Sequence, residues 1–357
     1  MKVPPERRAH AAGPAPETEA LFWEEVDGGK ARCTLCPHYC FVGENEEGLC
    51  RARGVRKGRM VSLIYSRPAT IISDEIEKKP LFHFHPGTRA LSLGSLGCNV
   101  LCIGCQNWQI SHASARTETT RLPVLRPAEA VAMARKHKLA GAVFTYNDPV
   151  VWIEYVHDVC AAFKEAGLYT AFITAAYLTE AALDYVAPVI EAFKFDLKAA
   201  SAEGWAWLTK VKDPTPACEM AVRARKVHGC HVEVVSNIVP DLNDSAVELA
   251  AMARWVYENL GPATPWHVTR FHPDFELSHL PATSISTLER GVSLGKAAGL
   301  RFVYIGNVQD HVARHTTCPG CGRTVIERSG PRIDLRGVER GLCAACGEDL
   351  ALVQAVN

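Results

Sequence analysis

Eleven of the chain's 14 cysteines fall into three tight groups, and this grouping limits what the sequence can fold around. Cys33, Cys36, Cys40 and Cys50 form the first, Cys98, Cys102 and Cys105 the second, and Cys318, Cys321, Cys343 and Cys346 the third. At 357 residues the chain can hide roughly 75% of its unfolded surface, so its main core needs no covalent staple. In a reducing compartment, grouped thiols bind metal or do chemistry rather than pair with one another. Cys160, Cys218 and Cys230 stand alone in helix-like segments and read as small core hydrophobes.

Charge narrows the partners. With 39 basic and 39 acidic residues the formal charge is zero, which argues against an electrostatic grip on nucleic acid or anionic lipid. The stretch RARGVRKGR places Arg51, Arg53, Arg56, Lys57 and Arg59 together; it reads as a solvated turn, with contact to an acidic partner or nucleic acid as the alternative. Residues 1–20 are rich in Pro, Ala and charge, lack the apolar stretch of a secretory signal, and are expected to be disordered. The apolar segment from Ala166 to Thr179 is 14 residues long, short of the ~20 that a membrane span needs. These features point to a cytoplasmic protein with no membrane association.

Between the second and third cysteine groups, β-type runs alternate with helical patterns. Strands are expected at Ala90–Gly94, Ala142–Tyr146, Tyr169–Thr174, Phe193–Leu197, Val232–Val239, His267–Phe271 and Phe302–Ile305, with helices between them. Strand-then-helix repetition predicts an α/β fold with a parallel sheet. No GxGxxG follows the first strand, which favours a partial or complete (β/α) TIM-like barrel over a doubly wound sheet. The expected layout is an N-terminal Cys-rich module at 21–75, a barrel at 76–311 and a C-terminal metal-binding module at 312–357.

In LGCNVLCIGCQNW, Cys98, Cys102 and Cys105 form a C-x3-C-x2-C array just after the first expected strand. Three thiolates on one short loop can hold three irons of a [4Fe–4S] cluster and leave the fourth iron open to a ligand. A zinc site completed by a distant His or Cys is the alternative. In the third group, two C-x2-C pairs, each followed by glycine, suit a closed tetrahedral zinc site, with a rubredoxin-type iron or an auxiliary cluster as alternatives. The first group, C-x2-C-x3-C-x9-C, suits either zinc or an auxiliary iron–sulfur cluster.

The stretches CTLCPHYC, EIEKKPLFHFHPG, GCNVLCIGCQNW, FTYNDP, KFDLK, HVEVVSNIVPDLNDS, PWHVTRFHPD, YIGNV and CPGC occur in this order over residues of about 33 to 322. In them the chain resembles the radical S-adenosylmethionine (radical SAM) enzymes, and within these the AmmeMemoRadiSam-system proteins related to pyruvate formate-lyase activating enzymes. The resemblance implies that a cluster on Cys98, Cys102 and Cys105 binds the amino and carboxylate groups of SAM. It also implies reductive cleavage to methionine and a 5′-deoxyadenosyl radical, which takes hydrogen from a substrate. An electron donor such as flavodoxin or ferredoxin is implied; the substrate is a glycine of a partner enzyme, another protein, an RNA or a small molecule.

Further cofactor-binding residues are expected at strand ends, where barrel active sites gather. Asp148 occupies the place of an acid that contacts the SAM amino group in relatives, and a helix N-cap role is compatible with this. Asp196 and Lys198 suit cofactor or substrate contact, or a structural ion pair. Glu233 and Asn237 share one strand face. Arg270 and His272 share another, and Arg suits carboxylate capture. Asn307 is a weaker candidate. His83, His85 and Trp108 are read as hydrogen-bonded or packed residues without chemistry. Two positions depart from the family pattern: Gly104 replaces an aromatic residue, and Thr174, Ala175 and Ala176 replace Thr-Asn-Gly. Two other functions fit the residues: a non-catalytic metal-binding or redox-sensing protein, and a SAM-dependent methyl transferase on the same barrel.

Overall fold

Eight strands form the central sheet: β1 Thr70–Glu75, β2 Arg89–Gly94, β3 Gly141–Phe144, β4 Tyr169–Thr174, β5 Ala192–Asp196, β6 His231–Ile238, β7 Trp266–Arg270 and β8 Val303–Gly306. The computed structural model from which they are taken describes residues 18–26 and 28–354. The order of the strands in the sheet is their order in the chain. A doubly wound sheet reverses its order at a switch point, so sequential order is that of a whole or partial barrel. The pairs β2–β3, β3–β4, β6–β7 and β7–β8 are parallel.

Strand β1 was not expected. Its sequence TIISDE is polar at one end and only partly buried, without the strong apolar run that marks β3 or β4, and it lies at the sheet edge. The boundary expected at 75/76 therefore leaves a sheet strand in the N-terminal module.

The described chain divides into two compact units. The first comprises the residues up to Asp74, Arg89–Phe193 and Pro214–Cys230, and so carries β1 to β4. Its N-terminal part consists of two small antiparallel sheets. One is built from Trp23–Val26, Lys30–Cys33 and Phe41–Val42; the other from Thr18–Glu19, Arg53–Arg56 and Arg59–Ser62. Of the stretch expected to be disordered, residues 1–17 lie outside the described residues, and Thr18–Glu19 pair with Val61 and Ser62. Helix α1, Ile153–Glu165, presents Ile153, Val156, Cys160 and Phe163 to the core at helical spacing.

The basic stretch is divided: Arg51, Lys57 and Arg59 are exposed, whereas Arg53 is not. Arg53 is buried and pairs with Glu154 on α1 at 3.1 Å, while Arg59 pairs with Glu19 at 3.0 Å.

The second unit comprises Glu75–Thr88, Lys194–Asp213 and the residues from His231 onward. Helix α2, Ala246–Leu260, starts at Ser245, whose hydroxyl accepts from the Glu248 N–H at 3.1 Å. Helix α3, Ile285–Ala297, carries Gly295 where it crosses β7 and β8. A Cβ there would lie 2.9 Å from Val303 and 3.0 Å from Trp266, so close packing offsets the ~1 kcal/mol that helical glycine costs.

The C-terminal residues belong to this unit rather than standing apart from residue 312. Their core is Cys318, Val325, Ile326, Cys343 and Leu350. The buried Arg328 donates to Thr316 Oγ1 at 2.8 Å and to the Phe82 carbonyl at 2.9 Å, and its cation lies 4.2 Å from the centre of the Phe82 ring.

Candidate active site

In the first unit, β2 ends at Gly94 and the chain enters the loop that bears Cys98, Cys102 and Cys105. Cys98 is buried; Cys102 and Cys105 are partly exposed. Asn147 fixes the start of the loop. Its Oδ1 accepts from the Ser95 N–H at 3.0 Å, and its Nδ2 donates to Ser95 Oγ at 2.7 Å and to the Gly97 carbonyl. Asn107 fixes the far end, donating to the Tyr146 carbonyl at 2.8 Å. Cys105 Sγ lies 3.6 Å from Ser111 Oγ. The segment YNDP after β3 thus clamps the cysteine loop at both ends through its neighbours.

Gly97 has φ +78°, and a Cβ on it would sit 2.2 Å from the Cys50 carbonyl oxygen. That carbonyl accepts from the Cys98 N–H at 3.2 Å. The N–H groups of Val100 and Asp148 point at the Cys98 sulfur, a donor setting that favours anionic sulfur, although burial dominates and pushes the free thiol well above its ordinary value.

Asp148 is buried and accepts from Thr174 Oγ1 at 2.8 Å, from the Ala175 N–H at 2.8 Å and from the Val150 N–H at 3.2 Å. The helix-cap role is therefore present, and the carboxylate also holds the end of β4 beside the cysteine loop. Ala176, where the family pattern has glycine, takes φ +56°, and its N–H is held by Thr174 Oγ1 at 2.8 Å.

The remaining expected residues lie in the second unit. Asp196 forms an ion triad with Lys194 and, at 2.8 Å, Lys198. Burial raises its pKa, but the two ammonium groups outweigh this and hold it at about 2. Asn237 accepts from Thr269 Oγ1 at 3.4 Å; Arg270 donates to the Thr283 carbonyl at 2.9 Å; His272 and Asn307 are exposed.

Glu233 requires a correction. It is fully buried, and its two oxygens take four donors: the N–H groups of Phe82 at 2.9 Å and His83 at 2.8 Å, His231 at 3.0 Å and His267 at 2.7 Å. A buried carboxylate needs such partners, and this one anchors residues 82–83 to β6 and β7 rather than facing a cofactor. His83, read as hydrogen-bonded, bridges Tyr304 Oη at 2.6 Å and the Leu350 carbonyl at 2.9 Å.

This network predicts an acid-sensitive fold. Burial pulls the His83 pKa down to about 3, against the opposing pull of Glu233. An unfolded histidine titrates near ~6.5, so below that pH the unfolded state binds a proton that the folded state refuses. The stabilising effect is complete above ~6.5 and shrinks by about 1.4 kcal/mol per pH unit, or about 2 kcal/mol by pH 5. Urea midpoints at pH 7 and pH 5 measure it; equal values would contradict the assignment.

The four C-terminal cysteines converge. Their sulfurs lie within 4.8 Å of one another, with Cys318–Cys346 at 3.5 Å and Cys321–Cys343 at 3.7 Å. Thiolates ~2.3 Å from a tetrahedral ion lie about 3.8 Å apart, so this site is the size of a single metal ion.

A sequence profile of the radical SAM superfamily matches residues 93–256, a span that opens at the cysteine loop. The chain is also 37% identical over 337 residues to the uncharacterized protein MJ0808 of Methanocaldococcus jannaschii, covering 94% of this chain and 99% of that one. The chain belongs to the radical SAM superfamily. It is an enzyme of the radical SAM class, and this family uses an iron–sulfur cluster and SAM. Two solved structures are similar in fold. A domain of the pyruvate-formate lyase-activating enzyme from Bacteroides vulgatus is 15% identical with TM-score 0.42, covering 47% of this chain and 99% of that one. A radical SAM methyltransferase from Sphaerobacter thermophilus is 14% identical with TM-score 0.49, covering 86% and 81%. No helix among the described residues is long and apolar enough to cross a membrane.

The residues present fit a radical SAM cluster: three thiols on one braced loop at a strand's C-terminal end, the innermost receiving two N–H groups. The sequence singles out the thiols and Asp148 as candidates but not Asn107 or Asn147, which brace the loop. The one available signal was that Asn147 directly precedes Asp148.

Proposed function

We propose that Cys98, Cys102 and Cys105 hold the [4Fe–4S] cluster and that the enzyme cleaves SAM reductively to take hydrogen from a substrate. The observation that supports this best is the clamped loop, with Cys98 buried at its base and Cys102 and Cys105 toward solvent. When bound, the cluster and SAM supply the electron transfer and the 5′-deoxyadenosyl radical. The chain's own part is positional. Asn147 and Asn107 set the loop, and the Val100 and Asp148 N–H groups favour anionic sulfur at Cys98. Asp148, already holding Thr174 and Ala175, is the acid proposed to receive the SAM amino group. In the second unit, Asp196, Lys198, Asn237 and Arg270 lie at or near strand ends and are the further candidates for cofactor or substrate contact. Zinc is proposed at Cys318, Cys321, Cys343 and Cys346, on the sulfur spacing. Flavodoxin or ferredoxin is the proposed class of reductant.

The test is 5′-deoxyadenosine formation by anaerobically reconstituted, reduced protein. Wild type is expected to form it, and the Cys98→Ala, Cys102→Ala, Cys105→Ala variant is not. If wild type with an intact cluster makes no more than that variant, the proposal fails.

A further inference from the structure

The first unit contains a cavity beside the N-terminal cysteines. It is lined by Cys33, Cys36, Cys40 and Cys50, together with Arg53 and Asn99. Every thiol of the N-terminal group thus faces one space. Among the described residues, convergence of the sulfurs within 4.8 Å is found at the C-terminal group; the N-terminal four, all of them described, surround a cavity instead. A lone zinc ion would draw four thiolates to about 3.8 Å from one another, whereas a body of several irons holds them apart.

A buried cation in the cavity wall supports an anionic occupant. Arg53 is 1% exposed, and one of its nitrogens pairs with Glu154, yet its Nε and other terminal nitrogen have no hydrogen-bond partner. Unpaired buried donors on a cation are costly, and they are satisfied if an anionic centre with acceptor sulfurs fills the space.

We infer that Cys33, Cys36, Cys40 and Cys50 bind a second [4Fe–4S] cluster, not zinc. Cys33, Cys36 and Cys40 lie within eight residues and supply three ligands from one loop, as the radical SAM loop does; Cys50 completes the set. With four thiolates no iron is left open, so this cluster binds no SAM and its chemistry is limited to holding and passing an electron.

The test uses the full chain with Cys98, Cys102 and Cys105 replaced by alanine, purified anaerobically and reconstituted with iron and sulfide. About four irons and four sulfides per chain are expected, with an EPR signal on reduction, and about one zinc at the C-terminal site. Adding Cys36→Ala and Cys50→Ala should remove the iron and spare the zinc. Wild type, read by Mössbauer spectroscopy and elemental analysis, should hold about eight irons and one zinc, which covers the case of a variant that does not fold. About four irons and two zincs in wild type, or zinc without iron in the triple variant, overturns the inference. The outcome is separable from the proposed function: wild type that holds both clusters but forms no 5′-deoxyadenosine overturns that function and leaves this site standing.

Discussion

Gly97→Ala is expected to abolish 5′-deoxyadenosine formation and lower the iron content, although it removes no ligand. The backbone at Gly97 is left-handed, at φ +78°, which costs a residue with a Cβ roughly 1–2 kcal/mol. The larger effect is steric. The new methyl would lie 2.2 Å from the Cys50 carbonyl oxygen and 3.2 Å from the Ala52 Cβ. The first of these is backbone, held by the Cys98 N–H at 3.2 Å, and cannot rotate away as a side chain would. Either the cysteine loop or the Cys50 segment must move. A displacement of about 1 Å at a catalytic group costs on the order of 100-fold in rate. Iron per chain and 5′-deoxyadenosine after reduction read the effect, with Gly104→Ala as the comparison within the same loop. Wild-type yield from Gly97→Ala would show that the Cys50 contact does not position the cluster loop.

Spacing carried the cysteine groups and most of the sheet because both signals are local. A thiol array and an apolar run such as AVFTY are visible within eight residues. What escaped depends on contacts between distant segments. Asn147 and Asn107 reach the loop across a turn, and nothing about an asparagine states where its amide points. Strand β1 is half-buried at the sheet edge, so its period is weak. The expected modules at 21–75 and 312–357 follow composition, whereas the compact units follow contacts: Arg328 reaches Phe82, and Cys98 reaches Cys50. Alternation along β6 placed Glu233 and Asn237 on one face. It did not show that residues 82–83, about 150 positions earlier, would cover the glutamate.

That last contact makes Glu233→Ala the substitution expected to cost the fold most. The carboxylate is fully buried, and burial raises its pKa, yet the His231 and His267 hydrogen bonds outweigh this and hold it well below the ordinary carboxylate range. Truncation leaves the Phe82 and His83 N–H groups and His267 as buried donors without their acceptor. At about 1–3 kcal/mol for each stranded group, a loss of about 3–5 kcal/mol is expected, comparable to breaking a buried ion pair. Glu233→Gln keeps the volume and one acceptor oxygen but turns an amide N–H toward donors, so it should recover only part of the loss. Urea unfolding measures both variants. The same experiment separates anchoring from cofactor contact. If Glu233 anchors residues 82–83, the midpoint falls while the surviving folded enzyme keeps its KM for SAM. A normal midpoint with a raised KM would return Glu233 to the cofactor site.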